Sequence, residues 1–333
     1  MNIASPSHSE SRSFLKVREE NTVNVSEKTC HNIEEKKLQQ LNQIICGDSV
    51  AELKKMPDNS VDLVITSPPY DNLRSYKDLV KGMKEEYNGY SFPFEPIAAE
   101  LARVVKKGGV VVWVVGDAVM KGSETGSSFR QALHFMEQGF KLHDTMIYEK
   151  NGSSFPARRD GNRYSQLFEY MFVFSNGAKP KTSNLICDKK NKWAGWVPWG
   201  KKGGTFRGKD GELKTRTQKP TPEFSPRNNI WRYNTGKGYS ATDDEAFKHP
   251  AIFPEKLVED HIRTWSEPGD VVLDPMNGAG TTTKVAVLTD RRYVGIDIFQ
   301  EYCDIAMERI KIANNTVKNR QTLQKLEDRK EAK

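Results

Sequence analysis

Apolar residues in this chain form short continuous runs separated by amphipathic stretches, which is the pattern of an α/β protein. The runs VDLVITS (61–67) and VVVWVVGD (110–117) lack the polar–apolar alternation of a half-exposed strand. Runs of this kind are typical of parallel strands buried on both faces. Between them, PIAAELARVVKKGG (96–109) predicts a helix that stops at its two glycines.

The same alternation extends to both sides of this unit. The predicted elements are the strand NQIICGDSV (42–50), the helix SVAELKKMPDNS (49–60), the helix SSFRQALHFMEQGF (127–140), the strands KLHDTMIYEK (141–150) and LFEYMFVFS (167–175), the helix FPEKLVEDHIRTWS (253–266), the strand DVVLD (270–274), the helix TTTKVAVLTD (281–290), the strand RYVGIDI (292–298) and the helix QEYCDIAMERIKIAN (300–314). This order predicts a doubly wound, Rossmann-like sheet whose strands are mostly parallel.

Composition divides the chain into four parts. Residues 1–40 are polar and predict a partly disordered extension, and residues 316–333 predict a charged tail that frays. The α/β pattern occupies 41–175 and resumes at 240–315. The segment 176–239 between these two parts is rich in glycine and proline, so little regular structure is expected there.

Charge is concentrated in the segment 176–239. The chain has 51 Lys and Arg against 44 Asp and Glu, a net charge of +7. The segment alone has 11 Lys and 4 Arg against 2 Asp and 2 Glu, which is +11, so the remainder is −4. Eight aromatic residues are interleaved with these charges. A polyanion is the expected partner of such a segment, and WAGWVPWG (193–200) is interpreted as a small core of the insertion rather than as a base-stacking surface.

Several classes of protein are disfavoured. No apolar run approaches the length of a membrane span, and the N-terminus lacks the pattern of a secretory signal. The four cysteines are scattered without a C-x-x-C pair, and there is no H-E-x-x-H, so no metal site is predicted. A reducing, cytoplasmic location is expected.

A glycine turn follows the strand at 270–274. The stretch VVLDPMNGAGTTT places Asp274 before Gly278 and Gly280, between a buried strand and a helix. Asp297 ends the next strand, 23 positions beyond Asp274, where a carboxylate suits the diol of a ribose. The acid before the turn repels a pyrophosphate but suits the cationic methionine moiety of S-adenosylmethionine. The third glycine of a dinucleotide turn is missing, which also favours S-adenosylmethionine over NAD.

The other distinctive stretch is TSPPY (66–70). Two consecutive prolines remove two backbone donors and fix two φ angles, so the strand before them must end in a stiff segment. Together with DPMNGAGTT (274–282), and in this order along the chain, TSPPY resembles the motifs of the β-class of amino-group DNA methyltransferases. The resemblance covers 41–175 and 249–315, including CGDSVAELKKMPDNSVDLVITSPPY and HPAIFPEKL.

The resemblance implies a methyltransferase sheet, with 176–239 as its target-recognition region, and roles for particular residues. The implied cofactor site comprises Asp48 at the adenine amine, Thr66, Phe253 near the methionine end, Asp274, Pro275, Gly278, Gly280, Thr281 and Asp297. The implied catalytic residues are Ser67, Pro68, Pro69 and Tyr70. Candidates for contacts to base edges of the DNA are Arg207, Arg216, Arg227, Asn228 and Asn229.

The implied chemistry is methylation of an exocyclic amine. The Ser67 hydroxyl and the Pro68 carbonyl are predicted to accept the two amine hydrogens, which frees the nitrogen lone pair, and Tyr70 is predicted to stack on the base. The paired base must leave the duplex to be reached. Ser67 in the first motif position favours cytosine N4, with adenine N6 as the alternative. Methylation at cytosine C5 would need a nucleophilic cysteine, usually after proline, and the sequence has no Pro-Cys.

Other interpretations remain open at this point. A glutamine-modifying protein methyltransferase would place Asn first and the glycine turn before the Pro-Pro loop, which disagrees on both counts. An RNA amino-methyltransferase shares the chemistry, and a basic binding module without activity is a third alternative. Double-stranded DNA is the expected partner. The resemblance is compatible with a homodimer, with a cognate restriction endonuclease and with association with the bacterial nucleoid.

Overall fold

The computed structural model describes residues 41–69, 92–152, 162–197, 204–215, 219–249, 251–252 and 254–331. Predictions that concern residues 1–40, Tyr70, Arg216 or Phe253 therefore lie outside the described residues. The described strands are β1 (Gln43–Cys46), β2 (Val61–Thr66), β3 (Val105–Val115), β4 (Val119–Met120), β5 (Ser123–Glu124), β6 (Phe140–Lys150), β7 (Phe168–Asn176), β8 (Lys189–Lys190), β9 (Thr205–Arg207), β10 (Leu213–Thr215), β11 (Phe224–Ser225), β12 (Ile230–Tyr233), β13 (Val271–Asp274) and β14 (Arg292–Asp297).

Six α-helices are described, together with a 3-10 turn at Glu245–Lys248. The helices are α1 (Ser49–Lys55), α2 (Phe94–Val104), α3 (Ser127–Glu137), α4 (Glu255–Trp265), α5 (Thr281–Leu288) and α6 (Gln300–Glu331). Most of them begin shortly after the end of a strand, as in a doubly wound fold.

One eight-stranded sheet organises the described part of the chain. Its strand order is β1-β14-β13-β2-β3-β7-β6-β12. All of the pairings are parallel except the two that involve β7, which runs antiparallel to both β3 and β6. The mixed α/β class and the parallel-dominated sheet predicted from the sequence are thereby confirmed. The short pairs β4–β5, β8–β11 and β9–β10 lie outside this sheet.

The sheet is covered on both faces, which explains why its central strands are apolar throughout. Leu53, Leu101, Trp113, Phe135 and Phe174 belong to one cluster, so α1, α2 and α3 cover that face. The other cluster contains residues of α4, α5 and α6, including Leu257, Ile262, Val285 and Ile310. Every residue of β2 is buried, in agreement with the prediction for VDLVITS. The result is a three-layer α/β/α arrangement.

Some elements differ from the predicted ones. Helix α2 ends at Val104 and not at the glycines, because the Val105 N–H closes the helix on the Leu101 carbonyl while Val105 already pairs with Val61 in the sheet. Strand β12, which lies inside the segment 176–239, joins the main sheet beside β6. Helix α6 continues to Glu331 through the range where a fraying tail is expected, because the helix-forming residues there outweigh its exposure.

Candidate active site

The predicted site residues converge on one edge of the sheet. Strands β1, β2, β13 and β14 run parallel, and Asp48, Ser67, Asp274 and Asp297 stand at or just beyond their carboxyl ends. In open α/β sheets, ligands bind in the crevice outside the carboxyl ends of the strands. The fold therefore brings two motifs from distant parts of the sequence to one ligand-binding edge.

A side-chain contact ties the helix after the glycine turn to the strand before the Pro-Pro segment (TSPPY, 66–70). The Thr282 hydroxyl, in the first turn of α5, donates to the Ile65 carbonyl near the end of β2 at 3.2 Å. Strand β13 pairs with β2 through Leu273 and Val64, so the two chain segments leave the sheet side by side. Beyond β2, Pro68 is buried, whereas Ser67 is partly exposed at the same edge.

Asp274 ends β13 with its carboxyl inside the protein. Its exposed fraction is 1 %, and the Met276 N–H donates to Oδ1 at 3.1 Å. Burial raises the pKa of Asp274 to about 6, although the hydrogen bond from the Met276 N–H opposes the rise. An Asp with such a pKa gains from a nearby positive charge, since a cation stabilises its ionised form.

Asp297 ends β14 and holds the glycine turn through its backbone partners. Its carboxyl oxygens accept the Gly278 N–H at 2.7 Å and the Phe299 N–H at 3.0 Å. Burial raises the pKa of Asp297 despite these bonds. The Gly47 N–H donates to the Asp297 carbonyl at 2.9 Å, which fixes the end of β1 beside it.

Both glycines of the turn are required by packing. Gly280 has φ of +75°, and a Cβ there would lie 2.6 Å from the Ala306 Cβ on α6. Gly278 has φ of +46°, and its Cβ would lie 3.0 Å from the His249 Nε2. Side chains are excluded at both positions even without a ligand. The glycines alone therefore do not establish a cofactor site.

The electrostatics of the turn do point to a cationic ligand. Within the described part of the chain, no side chain makes an ion pair with Asp274 or Asp297, and the pKa of each is raised by burial. The Asn277 Nδ2, also buried, has no hydrogen-bond partner among the described residues. Two uncompensated acids and an unpaired donor fit a ligand that carries positive charge and hydrogen-bond acceptors, as S-adenosylmethionine does.

The start of α1 is held to this turn as well. Asp48 is exposed and caps α1, because its Oδ1 accepts the Ala51 N–H at 2.9 Å. The adjacent Ser49 hydroxyl donates to the Pro275 carbonyl at 2.5 Å. Asp48 thus lies at the same edge as the turn, with one carboxyl oxygen engaged in the helix cap.

A buried cluster of four charged residues supports the turn from behind. Arg309 is fully buried on α6 and donates to the Ala279 carbonyl at 2.7 Å and the Thr281 hydroxyl at 3.2 Å. Lys284 on α5 shares two carboxylates with Arg309, those of Asp243 and Glu255. Burial would raise the pKa of Asp243, but the bonds from Lys284 and Arg309 hold it below its usual value. We call Arg309, Lys284, Asp243 and Glu255 the charge cluster.

The charge cluster is absent from the sequence-based site, although the sequence contains a signal for it. Arg309 occupies a core-facing position of α6, in register with Tyr302, Ala306 and Ala313, which are all buried. A charged residue in an apolar stripe needs a buried partner. Its partners lie 54 and 66 positions away in the chain, so the sequence alone could indicate that a partner exists but not which residues provide it.

The candidates for DNA contact have different surroundings. Arg207 is exposed on β9, and its guanidinium bonds the Gly211 carbonyl of its own hairpin at 2.8 Å. Asn228 is exposed and accepts from the Lys189 Nζ at 3.0 Å. Arg227 instead lies between Asp188 and Asp260, and its side-chain hydrogen bonds raise its pKa. Its guanidinium also lies over the Trp231 ring, so Arg227 has a structural role in the fold.

The prediction that WAGWVPWG forms a small core is wrong for its first two tryptophans. Trp193 and Trp196 keep 64 % and 55 % of their surface exposed. The reason is that β8 and β11 form a two-stranded ladder outside the main sheet, so neither indole packs into the core of that sheet. Trp199 lies outside the described residues.

Neither a membrane nor a metal is indicated in the described part of the chain. Its helices include none that is long and apolar enough to cross a bilayer. Its His, Cys, Asp and Glu side chains form no group of three or more that could hold a metal ion.

The fold and the two converging motifs are those of an amino-group DNA methyltransferase, and comparison with known families agrees. The family model of N6/N4 DNA methylases matches residues 61–308. The chain therefore belongs to this DNA methylase family, which confirms the class of enzyme predicted from TSPPY and the glycine turn.

Relatives of known name and structure support the same class. The chain is 58 % identical over 257 residues to the orphan methyltransferase M.BamHII of Bacillus amyloliquefaciens, covering 76 % of this chain and 90 % of that one. It is 29 % identical over 275 residues to the DNA adenine methyltransferase YhdJ of Escherichia coli K12, covering 82 % and 83 %.

Solved structures share the fold at lower identity. The PvuII DNA methyltransferase, described as cytosine-N4-specific, matches with a TM-score of 0.58 and 23 % identity, covering 80 % of this chain and 85 % of that one. A DNA modification methylase of Thermus thermophilus, solved with S-adenosyl-L-methionine, matches with a TM-score of 0.51 and 24 % identity, covering 81 % and 95 %.

Proposed function

We propose that this DNA methyltransferase transfers a methyl group from S-adenosylmethionine to the exocyclic N4 amine of a cytosine extruded from duplex DNA. The observation that carries the proposal is the contact between Thr282 and Ile65, at 3.2 Å. It ties helix α5, which follows the turn proposed to hold the cofactor, to strand β2, which leads into the segment proposed to hold the base. Methyl transfer needs the two reactants side by side, and this contact supports such a placement.

The cofactor would be held at the edge formed by Asp274, Asn277, Gly278 and Asp297. When bound, S-adenosylmethionine supplies a methyl group activated by its sulfonium charge. The buried carboxyl of Asp274 favours that cationic ligand, and the ligand in turn favours ionised Asp274. Asp297 already fixes the turn through the Gly278 N–H, and Asp48 would border the adenine at the start of α1. We also assign four further residues to this proposed cofactor site: Thr66, Phe253, Pro275 and Thr281.

The amine would be received by the Pro-Pro segment. The hydroxyl of Ser67 and the carbonyl of Pro68 accept its two hydrogens, which pulls the nitrogen toward pyramidal geometry and frees its lone pair for attack. Pro68 and Pro69 make the segment stiff, and stiffness matters because a misplacement of about 1 Å can cost on the order of 100-fold in rate. Tyr70 is proposed to stack on the base. No covalent intermediate with the enzyme is required.

Cytosine is proposed as the target because Ser stands first in the Pro-Pro motif. Adenine N6 is the alternative, since both bases present the same kind of amine to the same acceptors. The relatives do not decide between cytosine and adenine as the target base. YhdJ is named as an adenine enzyme, whereas the PvuII enzyme is described as cytosine-N4-specific. Ser67 is the feature of this chain that decides our choice.

Duplex DNA is proposed to lie along the segment 176–239. Its lysines would neutralise phosphates, while Arg207 and Asn228 remain candidates for base edges. Flipping the base costs a few kcal/mol, which contacts in the pocket offset. A homodimer, a cognate restriction endonuclease and a cytoplasmic, nucleoid-associated location stay predictions.

The decisive experiment is identification of the product. Purified protein and S-adenosylmethionine are incubated with unmethylated plasmid, the DNA is digested to nucleosides, and the methylated nucleoside is identified by mass spectrometry. We expect N4-methylcytosine. N6-methyladenine would move the proposal to the alternative base, and methylation of transfer RNA but not of plasmid would overturn the DNA assignment.

A further inference from the structure

Two exposed tryptophans, Trp193 and Trp196, lie side by side in the segment 176–239, which we call the basic segment. The ring centres of Trp193 and Trp196 lie 6.4 Å apart, and each ring keeps more than half of its surface exposed. The Lys192 Nζ lies 5.8 Å from the centre of the Trp193 ring. Exposed large aromatic rings that lie side by side mark an interaction surface, because isolated proteins rarely leave such rings together in water.

The pair is held rigidly, which distinguishes it from a loose loop. The Gly195 N–H donates to the Thr221 carbonyl at 2.8 Å. The N–H and the hydroxyl of Thr221 both donate to the Trp196 carbonyl. The turn closes on itself through the Trp196 N–H and the Trp193 carbonyl. The Asn191 N–H donates to the Glu223 carbonyl, which extends the pairing of β8 with β11 toward the tryptophans. A backbone fixed in this way loses little conformational entropy when the rings that it carries meet a partner.

Residues 184–188, which lead into the ladder that carries the pair, run along α4 toward the carboxyl edge of the sheet. This stretch begins near the edge of the sheet formed by the amino ends of the strands. There the Asn184 N–H donates to the Thr264 carbonyl at the end of α4. Four residues later Asp188 binds Arg227, which binds Asp260 in the middle of α4. The positive charge of Lys256, near the start of α4, also acts on Asp188. The chain thus runs from the end of α4 toward its start, and the start of α4 lies at the carboxyl edge.

We propose that Trp193 and Trp196 form an apolar contact surface for the duplex DNA substrate. The two indoles pack against sugars and bases beside the target site, while neighbouring lysines lie on phosphates. This inference rests on the proposed function, since it takes the substrate to be duplex DNA, and it adds a contact that carries affinity independently of charge.

Charge decides in favour of DNA among the partners of an apolar pair. Lys189, Lys190 and Lys192 immediately precede the tryptophans, within a segment of net charge +11. A second copy of this basic segment would be repelled, and a duplex carries about one negative charge per 1.7 Å of its axis. On a duplex, lysines contact phosphates, while apolar side chains contact sugars and base edges in the grooves.

The test separates the apolar contact from the ionic ones by salt dependence. Duplex affinity is measured by fluorescence anisotropy between about 50 and 300 mM NaCl, with the full chain and a saturating cofactor analogue. We expect Trp193→Ala/Trp196→Ala to weaken binding roughly tenfold or more at every salt concentration, because the apolar contact area of two indoles is lost. The slope of log Kd against log [NaCl] should stay unchanged. Lys189→Ala/Lys190→Ala should instead lower the slope by about 0.9 for each phosphate that is no longer neutralised.

Leu133→Ala provides a matched control. Leu133 is 60 % exposed on α3, outside the segment 176–239, so its removal should leave duplex affinity unchanged. Trp193→Phe/Trp196→Phe should restore most of the affinity, because the aromatic rings are kept. The affinity of each variant for S-adenosylmethionine, measured by calorimetry, should equal that of the wild type and verifies the fold.

Two results would overturn the inference. One is duplex affinity of the tryptophan variant within twofold of the wild type; the other is a change in salt slope with no parallel shift. If the tryptophan variant instead changes from dimer to monomer in sedimentation while its DNA affinity is kept, the surface belongs to a second copy. Failure to find a methylated base with the wild-type protein would refute the proposed function, yet the parallel shift in duplex affinity would still stand.

Discussion

The hydroxyl of Thr282 donates to the carbonyl of Ile65, across 217 positions of sequence. Thr282 lies in the first turn of the helix after the glycine turn, and Ile65 precedes the Pro-Pro segment by three residues. Their contact ties the two halves of the proposed site directly to each other. The Thr282 hydroxyl thus adds a side-chain tie to the one that the pairing of β13 with β2 already provides.

Replacing Thr282 by Val should separate alignment from binding. The substitution keeps the shape of the side chain and removes the donor, at a stability cost of about 1 kcal/mol. We expect the single-turnover rate to fall roughly tenfold, because the Pro-Pro segment loses its tether to the turn. Affinities for S-adenosylmethionine and for duplex DNA should change much less than the rate.

Thr289→Val is the control for this prediction. The Thr289 hydroxyl is also buried, but it bonds the Val285 carbonyl within its own helix at 2.7 Å. Its loss should cost similar stability and leave the single-turnover rate intact. Equal rates in both variants would show that the Thr282 contact does not control alignment.

Ser67→Ala should slow chemistry without weakening binding. If the hydroxyl accepts an amine hydrogen in the transition state, its removal should lower the single-turnover rate by about 10- to 100-fold, approaching the range found when one polar group that stabilises the transition state is removed. Ser60→Ala, at the opposite end of β2, removes only a bond to the Pro57 carbonyl and should keep the rate. Full activity of Ser67→Ala would remove the hydroxyl from the mechanism.

The raised pKa of Asp274 makes stability and cofactor affinity depend on pH in opposite senses. Its pKa of about 6 exceeds the usual 3.8, so between these values the folded protein binds more protons than the unfolded chain. The free energy of unfolding without cofactor should therefore fall as the pH rises from about 4 to 6. Affinity for a cationic cofactor should rise over the same interval, as the carboxyl ionises.

Asp274→Asn tests both parts of this prediction. Above about pH 6 the variant should be more stable without cofactor, by up to about 3 kcal/mol, and should bind S-adenosylmethionine more weakly. Asp62→Asn is the contrasting control, because Asp62 is also buried but accepts from the Lys106 ammonium and the Val271 N–H. That variant should lose stability. Urea unfolding at about pH 5 and pH 7.5 measures the difference, and an Asp274→Asn protein less stable than wild type at the higher pH would contradict the prediction.

Arg309 should matter for the cofactor although it lies behind the turn. Arg309→Met removes the cation shared by Asp243 and Glu255 and should cost about 3–5 kcal/mol of stability. Arg309→Lys keeps a charge but cannot reach the Ala279 carbonyl and both carboxylates together. We expect this milder variant to bind S-adenosylmethionine several-fold more weakly in calorimetry while keeping duplex affinity.

Arg103→Lys is the control for the arginine geometry. Arg103, on α2, also donates several hydrogen bonds, to Glu100, Asp58 and the Leu53 and Met56 carbonyls. These bonds lie at the end of α1, away from the glycine turn. Its replacement should lower the melting temperature without changing cofactor affinity. If Arg103→Lys weakens the cofactor as much as Arg309→Lys, the effect is one of general stability.

Local patterns sufficed to predict most of the sheet and to propose one half of the candidate site. VDLVITS and VVVWVVGD are continuous apolar runs, and both proved to be buried strands, because burial on two faces leaves a trace at every position. Asp274, Gly278, Gly280 and Asp297 were found because turn chemistry is local. The antiparallel direction of β7 carries no comparable trace, since its residues would be equally apolar in either direction.

The partners within the charge cluster could not be predicted from the sequence. Arg309, Lys284, Asp243 and Glu255 come from distant parts of the chain, and nothing near any one of them names the others. The surroundings of Trp193 were misjudged for a related reason: an aromatic run indicates a core only if another layer lies close enough to cover it, and that depends on the whole fold.

The charge cluster has a consequence for how the two ligands can be separated. Mobile ions screen lysines that face solvent, with a Debye length of about 10 Å at 0.1 M salt, but they hardly reach pairs enclosed by protein. Arg309 and Lys284 are enclosed, at 0 % and 2 % exposure, whereas the described lysines of the basic segment are mostly open to the medium. Concentrated salt should therefore strip nucleic acid from this enzyme during purification and leave the turn ready to receive its methyl donor.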